Sequence, residues 1–137
     1  MVKIKKIDHL GIVVSDMEAA IQKYQDLLFQ KPSFTEYFAP GKIELAFFEI
    51  NGVSVELLAP QDRSSEIGIF LKEKGEGMHH ICYEVDDLES TLESLREKGF
   101  KVIDQNPRAG SRNSRIAFVD PVSTGGVLTE YCQFSKT

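Results

Sequence analysis

The chain has 137 residues, of which 42% are hydrophobic and 27% charged, the balance of an ordinary globular protein large enough to bury its own core. Its formal net charge of −5 argues against nucleic acid as a main partner, because phosphate binding needs clustered Lys and Arg. No apolar run approaches the roughly 18 residues of a membrane span, and the N-terminal run contains Asp8 and His9 rather than a signal-peptide core, so a cytoplasmic protein is expected.

In chain order, an apolar strand opens at His9 and ends before Asp16. Met17, Ala20, Ile21, Tyr24, Leu27 and Leu28 then recur at three- and four-residue spacing and predict an amphipathic helix. Ser15 and Glu18 stand where a capping box would start it. Strands follow at roughly Ile43 to Ile50 and Val53 to Leu58, joined by Asn51-Gly52, a two-residue hairpin turn. A short helix from Ser65 to Lys74, stopped by Gly75, leads to a joint at Gly75-Glu76-Gly77.

At His80 the pattern begins again. The segment His80-Ile-Cys-Tyr-Glu-Val-Asp-Asp87 repeats His9-Leu-Gly-Ile-Val-Val-Ser-Asp16, with His, Val and Asp at matching places. Leu88, Leu92 and Leu95 predict the second helix, with Asp86 and Glu89 as its capping pair and Gly99 as its stop. Strands are expected at Lys101 to Asp104, Arg115 to Val119 and Val127 to Phe134. The chain thus reads as one α+β domain, 1–137, of two βαβββ repeats (about 5–60 and 78–135) with a linker helix at about 64–75. Cys82 and Cys132, far apart in strand-like segments, read as buried reduced thiols.

The carboxylates carry the chemistry. Glu56 and Glu130 each sit inside an apolar strand, Val-Ser-Val-Glu56-Leu-Leu and Val-Leu-Thr-Glu130-Tyr-Cys, at matching places in the repeat. A charge there is costly without compensation. With the strand-opening His9 and His80 they make a set of two imidazoles and two carboxylates, which suits Co²⁺, Mn²⁺, Ni²⁺, Zn²⁺ or Mg²⁺ and leaves an octahedral ion two open positions. His79 alternates to the opposite strand face from His80.

These residues resemble the vicinal oxygen chelate (glyoxalase) superfamily, and within it the methylmalonyl-CoA epimerase family. The likeness covers nearly the whole chain. It rests on Ile7-Asp8-His9-Leu-Gly-Ile, Val55-Glu56-Leu-Leu-Ala-Pro60, the run from Phe70 through Gly-Glu-Gly-Met-His-His80-Ile, and Thr124-Gly-Gly-Val-Leu-Thr-Glu130. The resemblance implies the curved mixed sheet of that fold, metal ligation by His9, Glu56, His80 and Glu130 with Co²⁺ the leading ion, and a homodimer. It also implies a small acyl-CoA substrate whose α-proton is removed through a metal-stabilised enolate, interconverting (2R)- and (2S)-methylmalonyl-CoA.

Inversion at carbon favours proton-transfer groups on both faces of the enolate. Glu44, which aligns with a catalytic carboxylate of some members, is assigned to one face and Glu130 to the other. The run Pro107-Arg-Ala-Gly-Ser-Arg-Asn-Ser-Arg115 resembles a glycine-rich family loop that has lost glycines, and Asp120 replaces a frequent His before Pro121. Its three arginines suit either an anionic substrate group or a solvated surface loop. The alternatives are a glyoxalase I type isomerase, which the absence of Trp and the Leu57-Leu-Ala-Pro60 sequence weigh against, and a non-catalytic binding protein of the same fold. An extradiol dioxygenase fits less well, since it would use two His and one carboxylate.

Overall fold

Each repeat passes from strand to helix at an aspartate, and the structure shows why. In the computed structural model, which describes residues 2–135, strand β1 (Ile4–Val13) leads into helix α1 (Met17–Leu28). Strands β2 (Phe34–Phe38), β3 (Ile43–Ile50) and β4 (Val53–Pro60) follow, then helix α2 (Glu66–Lys74). The order returns as β5 (Gly77–Val85), α3 (Leu88–Glu97), β6 (Arg108–Ala109), β7 (Ser114–Val119) and β8 (Thr129–Phe134). Two βαβββ passes flank one linking helix, as the duplication predicts.

Asp16 and Asp87 cap α1 and α3. Their carboxylates accept the backbone N–H of Ala19 at 3.1 Å and of Ser90 at 3.0 Å, satisfying donors that the first helical turn cannot. The caps expected at Ser15 and Asp86 are therefore each displaced by one residue. Ser15 donates its backbone N–H and its hydroxyl to Glu76 instead, at 2.9 and 3.1 Å.

The chain divides into two compact units, one of residues 10–79 and one joining the segment before Leu10 to the segment from His80 onward. In the first, the strands are hydrogen-bonded in the order β2-β3-β4-β1. Asn51 and Gly52 both have positive φ, 50° and 90°, as a primed two-residue turn requires. That turn sets the antiparallel register of β3 on β4, with Phe47 opposite Glu56 and Glu44 opposite Ala59.

Both faces of this ribbon are covered, which is why its strands are almost continuously apolar. Ala46, Phe48, Leu57 and Ala59 pack with Val14, Met17 and Ala20 on the α1 side. Leu45, Phe47 and Leu58 pack with Val13 and with Ile67 of α2 on the other. Strand β2, not foreseen from the sequence, pairs its Phe34 with Phe47 along the outer edge of β3.

In the second unit the order is β1-β5-β8-β7-β6, with β5 and β8 parallel and β7 antiparallel to β8. Its core is Val85, Leu88, Leu92 and Ala117, with Val102 and Tyr131 against it. The strand expected at Lys101 to Asp104 is only a bridge of Val102 to Val119. There the Asp104 carboxylate accepts the N–H of Phe118 at 2.8 Å, so a side chain takes the bond that a further ladder residue would have made. The outer strand is instead the two-residue β6. Among the described residues no helix is long and apolar enough to cross a membrane.

Two substitutions test this packing in opposite directions. Phe48 is fully buried, and Phe48→Ala should cost about 3–5 kcal/mol in urea unfolding. Phe29 is 93% exposed and ends α1 with φ of 57°, so Phe29→Gly should stabilise by about 1 kcal/mol through relief of left-handed strain. A loss of stability in Phe29→Gly would contradict the assigned cap.

Candidate metal centre

The second unit gathers polar side chains on one face of its sheet. Glu130 of β8 lies opposite Cys82 of β5 and Phe118 of β7, and alternation along β5 adds His80 to the same face. Val85, Ala117 and Tyr131 turn the other way, toward α3. His9 comes from β1. His9, His80 and Glu130 are each at most 5% exposed.

Their atoms form a small triangle. The Nε2 atoms of His9 and His80 are 3.0 Å apart, and Glu130 Oε1 lies 3.0 Å from the first and 3.1 Å from the second. The two rings stand at 90° to each other. His9 Nδ1 is 2.6 Å from Asp8 Oδ2. One proton of His9 is therefore assigned to Nδ1, so that an Nε2 freed of its own proton has its lone pair aimed at a carboxylate oxygen and a second ring nitrogen.

Three electron-rich atoms at such separations call for a cation. The three atoms are close enough together to serve as ligands of one divalent ion. Nitrogen with oxygen is a suitable donor mixture for such an ion.

Without an ion, the imidazoles themselves supply positive charge beside Glu130. Burial pushes the Glu130 carboxyl upward, but the charge and hydrogen bond of His80, then those of His9, hold it well below the usual carboxylate range. Asp8 is likewise pushed up by burial, yet the hydrogen bonds of His9 and Arg112 bring it below its ordinary value. Burial pushes the Cys82 thiol up, so it remains protonated although it lies within 4.8 Å of donor atoms of Asp8 and His9. Both cysteines are free and buried.

Asp8 and Arg112 are partners that sequence reasoning missed. Asp8 is visible as the neighbour of His9, but nothing local connects it to a loop residue over a hundred positions later. The loop arginines are all engaged. Arg112 meets Asp8, Arg108 meets Asp104 at 3.1 Å and lies over the Phe118 ring, and Arg115 pairs with Glu89.

The remaining two predicted residues lie in the first unit. Glu56, 4% exposed, shares the α2 side of β3 and β4 with Leu45, Phe47 and Leu58. Glu44 pairs with Ala59 and so shares the α1 side with Ala46, Phe48 and Leu57. The two glutamates leave the ribbon in opposite directions, and the Glu44 carboxylate accepts the Gln61 side-chain amide.

Residues 8–118 match the model of the Glyoxalase/Bleomycin resistance protein/Dioxygenase superfamily. The chain belongs to that superfamily. It is 32% identical to the mitochondrial methylmalonyl-CoA epimerase of Homo sapiens, covering 91% of this chain and 72% of that protein. It is 31% identical to the ethylmalonyl-CoA/methylmalonyl-CoA epimerase of Cereibacter sphaeroides, covering 93% and 96%. Among solved structures, a variant of the Streptomyces coelicolor methylmalonyl-CoA epimerase in complex with 2-nitronate-propionyl-CoA superposes with a TM-score of 0.92, at 32% identity over 97% of this chain and 96% of that one. The α+β arrangement of two βαβββ repeats is thus the glyoxalase-type fold.

The depressed carboxyls make the metal-free protein sensitive to acid. Above about pH 5 Asp8 and Glu130 are ionised in both folded and unfolded chains, so their favourable contacts count in full. As the pH falls through about 4 the unfolded chain takes up protons first, and that stability is progressively lost. Urea titrations from neutral to acid pH should show this decline, with a shallower slope in Glu130→Gln. Equal slopes would refute the coupling of Glu130 to the two imidazoles.

Proposed function

We propose that this protein is a divalent-metal-dependent epimerase acting on an acyl-CoA, interconverting (2R)- and (2S)-methylmalonyl-CoA. The observation that carries the reading is the meeting of His9, His80 and Glu130 at ligand separations, in a chain similar along nearly its whole length to methylmalonyl-CoA epimerases. On this reading 1–137 works as one domain, and Glu56 is the fourth ligand beside those three. An ion there also compensates the cost of a carboxylate placed among Phe47, Leu45 and Leu58. Co²⁺ is the first choice, with Mn²⁺, Ni²⁺, Zn²⁺ and Mg²⁺ as alternatives.

The bound ion would supply Lewis-acid stabilisation of the negative charge that develops on the substrate when its α-proton leaves. The protein's own part is to hold the reacting groups and to move the proton. Glu130 stays ionised because His80 and His9 surround its Oε1, and its Oε2 is the atom proposed to take the α-proton. Burial of the site excludes water, which makes these fixed charges more effective than in solvent. A homodimer is the proposed working assembly.

The deciding experiment supplies (2R)-methylmalonyl-CoA in deuterated water with Co²⁺. Deuterium should enter at the α-carbon with loss of configuration, and a chelator should stop both. Glu130→Gln should lower the rate by about 10²–10⁴-fold. Turnover of the methylglyoxal–glutathione hemithioacetal, with no label entering the acyl-CoA, would replace this reading by that of a glyoxalase I type isomerase.

A further inference from the structure

Arg112 stands in a loop that reaches Asp8, the neighbour of the ligand His9. The turn that carries it is tightly built. Gly110 N–H donates to Ser114 O at 2.9 Å, and the Ser114 hydroxyl donates to Ser111 O at 2.7 Å. A Cβ on Gly110 would come within 2.6 Å of Ile116 Cγ2 and Ser114 Oγ, so the turn has no room for a larger residue there. Arg112 and Asn113 both adopt left-handed φ, 54° and 58°, a conformation that side-chain-bearing residues seldom keep unless their surroundings impose it.

The reward for that conformation is a contact. Arg112 Nη2 donates to Asp8 Oδ2 at 2.5 Å, while its guanidinium lies over the Phe134 ring, 5.1 Å from the centroid. The same oxygen accepts from His9 Nδ1 at 2.6 Å. The two donors are 3.4 Å apart, the spacing expected of groups that share one acceptor. The side chain of Asp8 is 5% exposed, so water does not readily substitute for either donor.

We propose that Arg112 is a positioning residue for the metal centre. It pins the Asp8 carboxylate, which holds the proton of His9 on Nδ1 and so keeps Nε2 free to coordinate. This rests on the metal reading above and deepens it: the basic loop orients a ligand rather than receiving the substrate. Arg108 and Arg115, tied to Asp104 and Glu89, have no such role.

The test is metal affinity, measured on the full chain by competition with a chelating indicator for Co²⁺. Arg112→Gln should weaken binding by roughly 10–100-fold, the usual effect of removing a partner that orients a ligand. Arg112→Lys should fall between, keeping the charge but losing the planar fork, and Arg115→Gln should bind as wild type does. Thermal unfolding of the metal-free variants separates a folding defect from a lost ligand orientation. A second measurement needs no variant: in the Zn²⁺-loaded wild type, nitrogen-15 spectra should place the His9 proton on Nδ1, slow to exchange with solvent. Equal affinities for wild type and a folded Arg112→Gln, or a His9 bound through Nδ1, would overturn the proposal. Absence of metal binding by the wild type would instead remove the reading on which it rests, and metal binding without epimerase activity would leave Arg112's role standing.

Discussion

A carboxylate shut away from water remains ionised only if its neighbours supply the opposing charge, and Glu130 lives under that constraint. The strands around it are arranged to meet it. β5 delivers His80 from beside it in the sheet, β1 delivers His9, and the parallel register of β5 on β8 keeps His80 and Glu130 on one face. The apolar residues of the opposite face secure the sheet to α3, so the polar face is held rigidly by a core that takes no part in the chemistry.

The duplication produced two similar halves and then specialised them. Each half opens with an apolar strand bearing a histidine and starts its first helix with an aspartate cap. Yet the residues just before the two histidines have diverged. Asp8 sits beside His9 and binds its Nδ1, while His79 precedes His80 and stacks edge-on against Phe70, with centroids 4.8 Å apart. One imidazole therefore has a carboxylate behind it and a cationic loop behind that. Equivalent positions in a repeat need not share an electrostatic environment.

Much of this architecture is legible in the amino-acid sequence. His9, His80 and Glu130 stand out because the repeat puts the same residue types at the same offsets, and a charge in an apolar strand needs a reason. Strand parity around Glu44 is equally legible. The Asn51-Gly52 turn already implies that Phe47 faces Glu56 and Ala59 faces Glu44, which puts the two glutamates on opposite sides. Strand β6 and the bridge at Val102 are hidden for another reason: a side chain, Asp104, supplies a bond usually made by backbone, and hydropathy does not register that. The link from Arg112 to Asp8 joins distant positions through a left-handed turn, for which sequence periodicity offers no signal.

The two sulfhydryls give the fold a built-in clock. Cys82 and Cys132 are at most 1% exposed, and an alkylating reagent attacks the thiolate, a form that burial suppresses in Cys82. Modification must wait until the sheet between β5 and β8 opens. Under native conditions, labelling at these two positions therefore reports how often the strands that carry His80 and Glu130 come apart. An ion bound at the site would slow that labelling in proportion to how tightly it is held, so its occupancy is readable in the sulfur chemistry of residues that never touch a substrate.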